Sequence, residues 1–118
     1  MRVAIPTTGK RKLSNKVADT FSHAEEFTIV KITDNQTETK LIDNPGKDQK
    51  RGAGPLAANT LRHNHVELVL TSELGPGVME ILQEYGIEFK IVESGLSVKE
   101  TLMSLDLLNA RSCEDSPQ

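Results

Sequence analysis

One histidine stands in a setting suited to ligation: His23, in the segment Phe21-Ser22-His23-Ala24-Glu25-Glu26-Phe27. A neutral imidazole there could hold a metal or a cluster, and a protonated one could stabilise an anion. The plainer alternative is a surface histidine filling a turn. Two glycine-bearing segments, Gly52-Ala53-Gly54-Pro55 (preceded by Arg51) and Gly75-Pro76-Gly77, stand where helices begin. Free backbone N–H groups and the positive dipole end of a helix attract anions. Glycine lets a ligand approach the main chain, and a proline in the first turn loses no useful donor. Each segment alone also reads as a turn before a well-started helix. Neither matches GxxxxGK[ST] or GxGxxG, so neither is a nucleotide fingerprint. Lys10, Arg11, Lys12, Lys47, Lys50 and Arg51 gather in two loops. They are either solvated loop residues or a device that steers a small anion to one edge.

The remaining reactive groups carry less. His63 and His65 straddle a helix–strand junction two residues apart, without the i, i+4 spacing of a helical metal pair, and read as structural or exposed. Cys113 lies in a polar C-terminal stretch with no histidine or second thiol beside it, which argues against catalysis. Asp19, Glu25, Glu26 and Asp43 show no spacing that singles out an acid–base pair. With no nucleophile–base pair and no complete metal set, the pattern favours binding over catalysis.

Composition narrows the classes further. The 118 residues suit one domain. Fourteen basic against seventeen acidic residues give a net charge of −3, so there is no overall basic footprint for nucleic acid. Aromatic residues are 3% of the chain, too few for base-stacking platforms. One cysteine excludes an intrachain disulfide framework and an all-thiolate metal site. No apolar run nears the roughly 20 residues of a membrane span, and Pro6 comes too early for a signal peptide, so the expected location is the cytoplasm.

The elements that must position these residues follow from periodicity. Val3-Ala4-Ile5 is a short strand closed by Pro6, and a long polar connector from Thr7 to Ala24 accommodates a helical turn near Lys16–Phe21. Residues 27–32 and 37–42 form a hairpin through the turn Asp34-Asn35-Gln36, the later strand having the charges of a sheet edge. Helical spacing runs from Gly52 to about Asn64. Residues 66–70 read as a strand buried on both faces. A second helix opens at Gly75 and ends at the C-cap glycine Gly86. Residues 87–91 alternate as a fifth strand, and Ser97 with Glu100 forms the capping box of a third helix.

The order β-β-β-α-β-α-β-α predicts a mixed α/β sheet of five strands with helices on both faces. Strand one is central, with strands two and three on one side and four and five on the other. Loops 6–26, 43–52, 71–77 and 93–96 then converge on one rim, where open sheets of this kind bind ligands. The domain occupies residues 1–108, and 109–118 read as a flexible tail.

Three segments resemble a known family. Phe21-Ser22-His23-Ala24-Glu25-Glu26-Phe27-Thr28-Ile29-Val30 is similar to the F-G-[RH]-A-x-x-F-x-I-V signature of the dinitrogenase iron–molybdenum cofactor biosynthesis family. Residues 51–58 resemble its G-A-G-x-x-A-A helix start, and Gly75-Pro76-Gly77-Val78 with Tyr85-Gly86-Ile87 its G-P-x-A…G-I segment. Ser22 stands where glycine is usual, and Val78 where alanine is usual. The resemblance implies a three-layer α/β/α fold with ribonuclease H-like strand order 3-2-1-4-5. It also implies a non-enzymatic carrier of an anionic metal–sulfur cluster, an iron–molybdenum cofactor or its precursor, bound transiently. His23 is the expected metal ligand, and Arg51, Gly52, Ala53, Gly54, Gly75, Pro76 and Gly77 are expected to hold the charge. Cofactor assembly or acceptor proteins are the implied partners. The alternative is a regulatory or interaction module that binds a partner protein or another small anion.

Overall fold

In the computed structural model, which describes residues 1–9, 12–34 and 36–107, the first strand sets the plan. β1 (Arg2–Thr8) is buried from Val3 to Thr7, and its side chains feed two separate cores. Pro6 does not close the strand as expected from sequence. Ala18 N donates to the Pro6 carbonyl on the flank away from β3 (Glu26–Ile32), so the imino nitrogen faces a side where no ladder bond is needed. β3 pairs antiparallel with β1, setting Ala4 opposite Ile29 and Thr7 opposite Glu26. β4 (Thr37–Asp43) pairs antiparallel with β3 and is the half-exposed edge that its charges predict.

The crossovers follow. α1 (Ala53–His63) leads into β5 (Leu68–Thr71), buried at every position and parallel to β1. α2 (Pro76–Glu84) leads into the edge strand β6 (Glu88–Ile91), parallel to β5, and α3 (Val98–Ser104) ends the described fold. The strand order is β4-β3-β1-β5-β6. That places the first strand centrally, with the hairpin on one side and the crossover strands on the other.

One expectation fails. The sheet has six strands rather than five, because Lys16–Val17 is extended as β2 and pairs antiparallel with Thr7 and Thr8. The helical turn of this connector lies earlier, as one 3-10 turn over Lys12–Ser14. The backbone groups of β2 explain why it is extended. Val17 N donates to Leu96 O at 2.8 Å, Gly95 N to Val17 O at 3.0 Å, and Val98 N to Asn15 O at 2.8 Å. β2 thus stitches the end of β1 to the segment that launches α3.

Alternate positions of the strands face different helices. Ala4, Phe27, Ile29 and Val69 join Ala57, Ala58 and Leu61 of α1 and Leu82 of α2. Val3, Ile5, Val30, Leu68 and Leu70 join Val98 and Leu102 of α3 on the opposite face. α3 carries the predicted capping box, with Glu100 N donating to Ser97 Oγ at 3.0 Å and Ser97 N to the Glu100 carboxylate at 3.3 Å. Gly86 follows α2 at φ +74°, the left-handed C-terminal geometry expected of it. Among the described residues no helix is long and apolar enough to cross a membrane. Lys10, Arg11, the Asn35 turn position, and the expected tail with Cys113 lie outside the described residues.

Candidate functional site

Strand register gathers the loops at one edge. Thr7 faces Glu26, Glu26 faces Asp43, and Thr71 faces Ile91, so the ends of β1, β4, β5 and β6 and the start of β3 share a rim. His23 stands there on the turn before β3, exposed, with Nε2 3.0 Å from the carbonyl oxygen of Gln49.

The turn carrying His23 is held by a buried amide that sequence reasoning missed. Asn44, just past β4 and fully buried, donates from Nδ2 to the carbonyls of Ser22 and Ala24, each at 2.9 Å, and reaches that of Phe21 at 3.4 Å. Its Oδ1 accepts from Gly46 N at 2.9 Å. The two carbonyls that flank His23 therefore bond to one side chain. The other end of the turn is fixed by Glu73, whose carboxylate accepts from Phe21 N at 3.1 Å. Ser72 Oγ also donates to Ala18 O at 2.7 Å. Phe21 and Phe27 seal the turn from below, their ring centroids 5.4 Å apart.

The helix starts meet this turn at glycines. A Cβ on Gly54 would lie 2.5 Å from Val78 Cγ2 and 3.3 Å from Ser22 Oγ, so the His23 turn, α1 and α2 meet where Gly54 has no side chain. A Cβ on Gly46 would strike backbone, 2.6 Å from Ala53 O and 2.9 Å from Ser22 O. Gly52, the N-cap of α1 at φ +72°, and Gly75, the N-cap of α2, supply no side-chain cap. The leading N–H groups of both helices thus lack the intramolecular acceptor that Ser97 gives α3. A Cβ at Gly52, Gly75 or Gly77 would meet nothing within 4 Å. Pro76 occupies the first turn of α2. Ala53 and Gly54 are buried, whereas Arg51 and Gly52 are exposed.

The charge around His23 is mixed. A groove of about 530 Å³ runs beside it, lined by Glu25, Glu26, Asp43, Lys47 and Asp48. Of the six basic residues that sequence placed on the rim, Lys47 lines this groove, while Lys12, Lys50 and Arg51 are exposed elsewhere along the loops. Glu26 is itself buried, accepting from Asn15 Nδ2 at 3.0 Å and from Thr7 Oγ1 at 3.4 Å beneath the groove. Thr28 completes this polar layer, 2.8 Å from Thr7 Oγ1. Among the described residues no group of three or more His, Cys, Asp or Glu converges as a metal cage. His63 and His65 sit at the far rim, exposed, with His63 Nδ1 2.9 Å from the Asn59 carbonyl within α1.

An open α/β sheet whose loops share one rim defines the class, and comparison with known proteins narrows it. The apo form of the orange protein from Desulfovibrio gigas superposes with a TM-score of 0.81 at 28% identity, over 89% of this chain and 87% of that one. A Thermotoga protein provisionally assigned as NifB matches at 31% identity with a TM-score of 0.73, over 89% of this chain and 86% of its own. PH0822 shares the fold at 24% identity and a TM-score of 0.74, over 89% of both chains. No curated protein matches the chain in sequence. The dinitrogenase iron–molybdenum cofactor family model matches residues 1–106, and the chain belongs to that family.

Proposed function

We propose that this chain is a non-enzymatic carrier for an anionic metal–sulfur cluster, related to the iron–molybdenum cofactor or its precursor. The cluster binds transiently at the rim, with His23 as ligand. The carrying observation is that the turn bearing the exposed His23 meets two uncapped helix starts, where Ser22, Gly54 and Val78 come together. A compact anion needs one coordinating atom, backbone donors it can approach closely, and cations nearby. His23, the N–H groups that open α1 and α2 beside Gly52, Gly75 and Gly77, and the exposed Lys47 and Arg51 fit that requirement. No thiolate is available in the rim loops, so the imidazole is the natural donor to the metal.

Family membership and likeness to the orange protein and the Thermotoga protein support a role with a metal–sulfur cofactor. The role is that of a cytoplasmic handling protein that passes its cargo between assembly and acceptor proteins. Anaerobic titration with isolated iron–molybdenum cofactor tests it. Saturable binding by the wild type that weakens at least tenfold in His23→Ala is expected, and equal binding by both would overturn the ligand assignment.

The carboxylates Glu25, Glu26, Asp43 and Asp48 beside His23 favour a second reading, because they oppose an anion at that groove. In it, the rim is the contact surface of a regulatory module. Recovery of one stable partner from metal-free extracts, with no cofactor binding, would select it.

A further inference from the structure

His23 is tied into a closed circuit of hydrogen bonds that fixes its ring as well as its backbone. Asn44 Nδ2 bonds the carbonyls on both sides of His23, Ser22 and Ala24. Asn44 Oδ1 holds Gly46 N, Gly46 O accepts from Gln49 N at 3.0 Å, and Gln49 O lies 3.0 Å from His23 Nε2. Each link joins groups already bound to the next, so the imidazole cannot turn without breaking the last one.

That last link carries chemical information. A peptide carbonyl only accepts, so the hydrogen in the His23–Gln49 bond resides on Nε2. A neutral imidazole has one N–H and one lone pair, and the lone pair therefore stands on Nδ1. Metal-ligating histidines commonly donate their other ring N–H to a carbonyl or carboxylate, which fixes the tautomer and raises ligand basicity. Here that donor bond exists before any ligand arrives.

We infer that His23 offers Nδ1 as its ligating atom, with the Gln49 carbonyl as the fixed acceptor of the opposite N–H. This rests on the carrier reading above. Nδ1 lies closer to the main chain than Nε2 does. Ligation through it would hold the cargo nearer the backbone of the Ser22–Ala24 turn, and a Cβ built on Gly54 at the start of α1 would lie 3.3 Å from the Ser22 Oγ of that turn. Ligation through Nε2 would need the Gln49 bond broken.

The test uses full-length protein labelled with ¹⁵N in histidine, the three rings assigned with His23→Ala, His63→Ala and His65→Ala. In the free protein, long-range ¹H–¹⁵N spectra should show His23 as the Nε2–H form, its ring proton better protected from exchange than that of His65. A predominant Nδ1–H form would overturn the inference. On anaerobic addition of isolated iron–molybdenum cofactor, the Nδ1 resonance should shift and broaden more than Nε2. A larger effect on Nε2 would overturn it as well. A free-protein spectrum of the Nε2–H form with no response of either nitrogen to the cofactor would sink the inference together with the carrier reading. That outcome is distinct from a wrong choice of nitrogen on a working ligand.

Discussion

Asn44 Nδ2 donates to the carbonyl oxygen of Ser22 at 2.9 Å, fastening the end of one strand to the turn that carries His23. Asn44 is fully buried, and so are its bonds to the carbonyls of Phe21 and Ala24, which lose their partner if the amide is removed. Asn44→Ala should therefore cost about 2–4 kcal/mol, since each buried carbonyl left unsatisfied costs about 1–3 kcal/mol. Urea denaturation measures this, and a loss below about 0.5 kcal/mol, the range of surface substitutions, would show that the turn does not depend on the amide.

Gly54 and Val78 should behave as a coupled pair. Gly54→Ala alone places a methyl 2.5 Å from Val78 Cγ2, and overpacking of this kind costs roughly 1–3 kcal/mol. Val78→Ala removes the obstructing methyl groups, so the double variant should regain most of that loss. A double-mutant cycle with a coupling energy near zero would contradict the contact.

Gly46 offers the contrast. The atoms that meet its Cβ are backbone oxygens of Ala53 and Ser22, which no side-chain truncation can move. Gly46→Ala should destabilise by at least as much as Gly54→Ala and resist rescue by Val78→Ala. Thermal unfolding of the three variants ranks them, and a Gly46→Ala protein with wild-type Tm would remove the argument.

His23 is expected to separate binding from stability. Its side chain is exposed, and exposed substitutions usually stay within about 0.5 kcal/mol, so His23→Ala should unfold like wild type while losing cofactor affinity. Lys47→Gln and Arg51→Gln should weaken binding less, with an effect that shrinks as salt is raised. If His23→Ala is itself unstable, calorimetry will report it before any binding experiment is interpreted.

Ser97→Ala tests the capping box. Loss of the acceptor for Glu100 N should cost about 1 kcal/mol and loosen α3. Hydrogen exchange at the amides of Lys99 and Glu100 reads the effect locally.

Much of this architecture was legible because periodicity carries it. The β-branched run in residues 27–32, the edge-strand charges in 37–42, the buried run before Thr71 and the glycines beside α1 and α2 name their elements without tertiary help. β2 was not legible, because two residues hold no period and its extended form depends on Leu96 and Gly95, far along the chain. Asn44 was equally hidden: beside Pro45 and Gly46 it looks like an ordinary turn residue, and its acceptors lie twenty or more positions away. The rim was read as basic from loop composition alone. Register places Glu26 and Asp43 opposite each other at its edge, and no count of lysines could reveal that.

The stitch formed by β2 also sets how the molecule can open. Asn15–Val17 holds β1 on one flank and the segment Gly95–Val98 on the other, so α3 cannot leave the sheet without stripping the connector that precedes the His23 turn. Undocking of the last helix and melting of the first long loop are then one cooperative event with a single free energy. Cargo that steadies the rim would slow amide exchange in α3, on the opposite face of the sheet, without touching it.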